Sequence, residues 1–190
     1  MCSRACVAER PRPIRANRPP AGATGILKLG YGCNVQPKDI RLKRLPEVWL
    51  ESPIYLATAC TTEKRYDLCQ HSIFNKLVEE WTKASTYHGW TVGEYMVMLD
   101  HVHFFCSSQG ANANPLEKFV GPWKEWTAKH VGRETGVTSG RLWQPNFFDH
   151  LLRNENSYDQ KSAHVQLNPV RAGFVSKPED WQYAGHINPL

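Results

Sequence analysis

None of the 190 residues falls in an apolar run as long as a membrane span, so a soluble protein with no membrane partner is expected. The first twenty residues, MCSRACVAERPRPIRANRPP, put arginine and proline where a signal peptide would carry its apolar core. The cytoplasm is the expected location. The six cysteines form no CxxC pair, so neither a zinc finger nor a disulfide framework is expected. Cys60 and Cys106 sit in apolar, strand-like runs, where a free thiol behaves as a small hydrophobe. No internal repeat is visible.

Acidic residues are scarce at one end. Residues 1–50 hold ten Lys and Arg against three Asp and Glu, a surplus of seven. The whole chain carries +5, which leaves the remainder at −2. A basic arm of this kind either contacts phosphate backbones or serves as a solubilising tail. Residues 1–25 read as a flexible Pro/Arg/Ala-rich segment. The hydrophobic content of 41% and seven tryptophans are enough for one core.

Along the chain, IYLATACTT from Ile54 reads as a strand. Residues 67–88 have apolar positions at helical spacing, ended by Gly89. Residues 92–107 read as one long strand or a bent pair. Asn114 can cap a helix that Pro122 should kink or split. A short strand or an irregular segment is expected around Trp143, and a helix over NENSYDQKSAHVQL, stopped before Pro169. Trp123, Trp126 and Trp181 are expected in the core. The fold class is α+β, an antiparallel sheet with helices packed on one face.

The chemistry concentrates in MLDHVHFFCSS, residues 98–108. Alternate strand residues share a face, so His101 and His103 project together, about 6.5–7 Å apart along the strand. Val97, Leu99 and Phe105 are expected on that same face. Two imidazoles so placed can grip a divalent cation if a further ligand is found, or can be satisfied polar residues on a sheet. His164 and Asn168, four apart in HVQLNPVRAGF, share a helical face. The Asn168 amide is either that further ligand for Mg²⁺ or Mn²⁺ or the cap of its helix.

Three ordered motifs carry a resemblance. VMLDHVHFFCSS resembles the HUH motif of single-tyrosine HUH transposases, Val-Met-Pro-(Asn/Asp)-His-Val-His, with Leu99 in place of proline. LWQPNFFDHLLRNENSY resembles the Trp-Gln…Asp-His…Arg-x-Glu segment of that family, and NPVRAGFVSKPEDWQYAG the ending of its REP-associated tyrosine transposase branch. The resemblance covers about residues 45–185. It divides the chain into a basic extension, 1–45, and a transposase-like domain, 46–190.

The resemblance implies a ferredoxin-like fold, a divalent metal (Mg²⁺ or Mn²⁺) on His101, His103 and Asn168, and transposition through cleavage of single-stranded DNA next to a REP-type hairpin. It also implies a tyrosine nucleophile four residues before the asparagine. This chain has His164 there, and three readings stay open. The chain is inactive but still binds hairpin DNA, His164 is itself the nucleophile, or Tyr158 takes over. Arg41, Lys43, Arg44, Lys118, Lys124, Arg141, Gln144, Arg153 and Arg171 are candidate DNA contacts, with Trp143 as a base-stacking residue. The resemblance leaves monomer and homodimer open. The alternative function is a non-catalytic hairpin-binding or regulatory protein.

Overall fold

The computed structural model describes residues 53–62, 67–110, 114–135 and 142–190. All of them belong to the larger of two compact units, Gly32–Leu190. Arg41, Lys43, Arg44 and Arg141 lie outside the described residues.

Strand β1 (Ile54–Cys60) leads into α1 (His71–Thr82) and the short α2 (Ala84–His88). Strands β2 (Trp90–Val97) and β3 (His101–Ser108) form a hairpin, followed by α3 (Leu116–Thr135), β4 (Phe148–Leu152), α4 (Glu155–Gln166), α5 (Asn168–Arg171) and β5 (Ala184–His186). The five strands are antiparallel in the order β4-β1-β3-β2-β5. The α+β antiparallel sheet is therefore as expected, and its first four strands have the ferredoxin-like order.

The helices divide between the two sheet faces. Val102, Phe104 and Cys106 of β3 face α1 and α3, where Trp81, Phe119 and Trp123 form the larger core. Trp81 stacks on Trp123 with centroids 5.2 Å apart. The alternate residue Phe105 packs with Met96, Met98, Leu152 and Val165 on the opposite face, under α4. Packing on one face thus describes α1 and α3, while α4 crosses the other.

Several local expectations shift. The first helix breaks at Lys83, and Gly89 closes α2 in the left-handed conformation, φ 69°. α3 runs through Pro122 without interruption. Pro122 removes one backbone bond, but burial of Phe119, Val120, Trp123, Thr127 and Val131 along one side holds the helix together. Residues 92–107 are two strands, because Met98 and His101 close a tight turn over Leu99 and Asp100 (Met98 N–H to His101 O, 2.8 Å). Val97 pairs with Val102 and faces the larger core, and Leu99 lies in the turn. Neither shares the histidine face.

Around Trp143 the chain is irregular, one of the two expectations there, and the strand forms later, at β4. Trp143 makes only an isolated bridge to Thr61. Trp126 is 57% exposed, with the Lys129 ammonium 4.7 Å from its ring centre, so it is not a core residue. Cys60 is disulfide-bonded rather than a free thiol, whereas Cys106 is free and buried.

Candidate functional site

His101 and His103 open β3 on the α4 side of the sheet. Their ring centroids are 4.9 Å apart and the rings are nearly perpendicular. Each ring is held by Nδ1. The His101 Nδ1 lies 2.7 Å from the Asp100 carboxylate, which can only accept, so that nitrogen carries the proton. The His103 Nδ1 lies 2.8 Å from the Thr58 hydroxyl, which the β1–β3 register sets directly opposite. Nδ1 tethering of this kind fixes ring orientation and turns Nε2 toward an incoming group.

The turn carrying Asp100 is itself anchored. The Thr61 N–H and hydroxyl both donate to the Asp100 carbonyl (2.8 and 3.0 Å), and the Leu68 N–H donates to the Leu99 carbonyl (3.0 Å). Burial, with the His101 and His164 rings nearby, holds the His103 imidazole far below its usual value, at about 3. It is neutral at physiological pH.

α4 brings His164 into electrostatic range of His103. The helix starts cleanly: the Asn154 side chain accepts the Ser157 N–H (2.9 Å), and the Ser157 hydroxyl accepts the Asn154 N–H (3.2 Å). Three α4 side chains then converge on Glu94 of β2. The Ser162 hydroxyl donates to one carboxylate oxygen at 2.6 Å and the Gln166 amide to the other at 3.1 Å. The Tyr158 hydroxyl also bonds to Glu94. Ser162 and Val165 are the buried residues of α4, and His164 beside them is exposed.

The Arg171 guanidinium lies against His164. Its Nη1 donates to the His164 carbonyl (3.1 Å) and sits 3.1 and 3.3 Å from the two ring nitrogens. Desolvation, then the charges of Arg171 and Lys161, lower the His164 pKa. Tyr158 packs on Phe105 with its hydroxyl on Glu94, and burial, then the Glu94 charge, raise its pKa. Asn168 does not cap α4. Leu167 is the C-cap and stays in the right-handed helical region, so Asn168 opens α5 one turn beyond His164, roughly 6 Å along the axis.

The candidate DNA contacts separate. Arg153 and Arg171 are exposed at the two ends of the α4–α5 segment. Lys118 is exposed on α3, which packs against the other sheet face, so it is not brought to the imidazoles. Three residues belong to the scaffold instead. The Lys124 ammonium is buried and donates to the carbonyls of Gln144 (2.5 Å), Pro145 (3.0 Å) and Asn146 (3.3 Å). The Gln144 amide donates to the Thr61 carbonyl at 3.1 Å. Trp143 is 4% exposed, packed on Trp123, with its indole N–H on the Thr127 hydroxyl (2.9 Å), so it cannot stack on a base.

Sequence reasoning missed Thr58, Asp100 and Glu94. Asp100 has a signal, standing directly before His101, but strand alternation puts it on the opposite face. Thr58 and Glu94 carry none, since their partners lie 45 and 68 residues away. Among the described residues no three histidine, cysteine or carboxylate side chains converge as a metal cluster, and no helix is long and apolar enough to cross a membrane.

Known proteins resemble this chain. It is similar to the REP-associated tyrosine transposase of Escherichia coli (strain K12), 22% identical over 120 residues, covering 63% of this chain and 64% of that protein. It is also similar to a putative REP-associated tyrosine transposase of Haemophilus influenzae (strain ATCC 51907 / DSM 11121 / KW20 / Rd), 33% identical over 52 residues, 27% of each chain. The chain thus spans a little under two thirds of the first relative and about a quarter of the second. A solved structure described as the REP-associated tyrosine transposase bound to a REP hairpin shares the fold, with a TM-score of 0.59 and 20% identity, covering 75% of this chain and 82% of that one. The family model described as "Transposase IS200 like" matches residues 52–162, more than half of the sequence, and the chain belongs to that family of transposases.

Proposed function

We propose that this chain nicks and rejoins single-stranded DNA beside a hairpin, using Mg²⁺ or Mn²⁺ held by His101, His103 and Asn168. One observation carries the reading: two imidazoles on one sheet face, both tied at Nδ1, with His164 of α4 in electrostatic range of His103. The donor set fits a divalent cation. His103 is neutral, as a ligand must be, and the tether of His101 to Asp100 is the usual support for a metal-bound imidazole. Asn168, which opens α5 one turn beyond His164, would supply an amide oxygen as the further ligand. When bound, the cation would polarise the non-bridging oxygens of the phosphate and draw off developing charge.

In this reading His164 is the nucleophile. Its lowered pKa keeps the ring neutral near pH 7, with a lone pair for in-line attack. A nitrogen–phosphorus bond forms as the bond from phosphorus to the 3′ oxygen breaks. The proton of the ring's other nitrogen passes through water to the departing 3′ oxygen. The reverse step rejoins the strand without ATP. Tyr158 is poorly suited to replace His164, because the Glu94 contact and burial both oppose its phenolate. Arg141, Arg153 and Arg171 would meet phosphates near the site, while Arg41, Lys43 and Arg44 would follow the hairpin stem. The domain doing this work is residues 46–190, with 1–45 as a basic extension.

A second reading, a non-catalytic hairpin-binding protein, is favoured by the Arg171 guanidinium lying against both ring nitrogens of His164. One experiment separates the two. Full-length protein is incubated with labelled hairpin-bearing single-stranded DNA and Mn²⁺, then run on a denaturing gel. Catalysis predicts an acid-labile, alkali-stable adduct, lost in His164→Ala and in His101→Ala, and more cleavage in His164→Tyr. Tight, salt-sensitive binding with no adduct from the wild type establishes the second reading. A wild type that binds no hairpin DNA defeats both.

A further inference from the structure

Beyond Asn168 the chain folds back on itself. Gly173 adopts φ 73°, a left-handed turn open to glycine at little strain. The turn returns Phe174 onto α5, and the Phe174 N–H donates to the Pro169 carbonyl at 2.9 Å. Phe174 then lays one ring face on Trp181, centroids 5.5 Å apart and 16° from parallel. Trp181 is anchored by a hydrogen bond and by packing. Its indole N–H donates to the Val97 carbonyl (3.0 Å) at the end of β2, beside the turn that carries Asp100. Tyr183 meets it edge-on at 5.3 Å, and it packs against the cluster of Met96, Met98 and Phe105 under α4.

Phe174 is therefore the outer ring of an anchored aromatic stack, yet it is 45% exposed. Three residues back, the Arg171 guanidinium lies against His164. Leu167, between His164 and Asn168, is 39% exposed. A rigid aromatic face with a cation a few residues away along the same segment is suited to an unpaired nucleobase and its phosphate. Arg171 lies three residues before Phe174, and the exposed Glu179 and Asp180 directly precede Trp181 in the chain.

We infer that Phe174 is the stacking platform for one unpaired base of the strand that passes His101 and His103, continuing the Trp181–Phe174 stack outward. The inference rests on the proposed reading of the site as one for single-stranded DNA. It assigns Phe174 a binding role and Arg171 the neighbouring phosphate.

The test uses full-length protein and two oligonucleotides, both hairpins with a short unpaired flank. One flank has its bases and the other carries abasic sugars. Wild type is expected to bind the intact flank about tenfold more tightly than the abasic one. Phe174→Ala should lose that difference while binding the abasic probe as wild type does, which also reports that the variant is folded. Phe174→Leu keeps an apolar side chain against Trp181 and should lose the difference too. Phe174→Trp should keep it. If the alanine and leucine variants still prefer the intact flank, or if wild type binds both probes equally, the platform is refuted while DNA binding stands. If wild type binds neither probe, the reading of the site falls and takes the platform with it.

Discussion

At the scale of single residues, the two histidines differ in what holds them. The acceptor-only carboxylate of Asp100 fixes the proton of His101, whereas the Thr58 hydroxyl can donate or accept and leaves the tautomer of His103 to its surroundings. Burial decides the charge of His103. The unfolded chain's imidazole takes a proton near pH 6.5, the folded ring only near 3. Between these values the unfolded state holds the extra proton, so stability rises with pH across that window. The contribution is complete above about pH 6.5 and is lost as pH falls toward 3, destabilising by up to a few kcal/mol. Chelator-treated protein should therefore melt at progressively lower temperature from pH 6.5 downward. NMR of the imidazole protons should find the His103 ring neutral at pH 5, and a ring titrating near 6.5 would contradict its burial. The opposite face shows how one residue type can mislead. Lys124 reads as a surface cation, but three carbonyls of the loop after Trp143 take its ammonium inside.

At the scale of elements, Glu94 ties α4 to the sheet. Its carboxylate accepts from Ser162, Gln166 and Tyr158, and α4 otherwise buries little beyond Ser162 and Val165. Glu94→Ala leaves three donors without their acceptor. It should cost about 1–3 kcal/mol, read as a lower denaturation midpoint with an unchanged slope. Amide exchange should quicken in α4 and not in α3. Glu94→Gln keeps one carbonyl oxygen and should recover part of the loss. The same elements separate what the sequence made legible from what it hid. β1, the helices and the imidazole pair follow from local periodicity, because a two-residue or 3.6-residue repeat is set by the nearest neighbours. The reversal at Leu99–Asp100 resets that count, which is why simple alternation wrongly sets Val97 and Leu99 beside His101. Thr58 opposite His103, and Glu94 beneath α4, exist only through sheet register and helix docking. Trp143 beside Gln144 looks the same in sequence as a core residue or a stacking one. Thr127, sixteen residues away, decides it by supplying a buried acceptor.

At the scale of the whole molecule, charge and chemistry lie in different parts of the chain. Residues 1–45 carry ten basic and two acidic side chains, while the rest of the sequence is net negative. Residues 46–190 cannot draw a phosphate backbone by net charge. The exposed cations of their α4–α5 segment are Arg153 and Arg171, at the two ends. If the basic segment grips the stem, affinity should depend on salt through that segment and selectivity for unpaired bases should not. The full-length triple variant Arg41→Gln, Lys43→Gln, Arg44→Gln separates the two. The slope of log affinity against log salt should become shallower by about 0.9 for each phosphate no longer neutralised, nearly three units if all three cations engage. Preference for an intact over an abasic flank should be unchanged, because it depends on the Phe174 ring. An unaltered slope would mean that Arg41, Lys43 and Arg44 do not engage the phosphates of the stem.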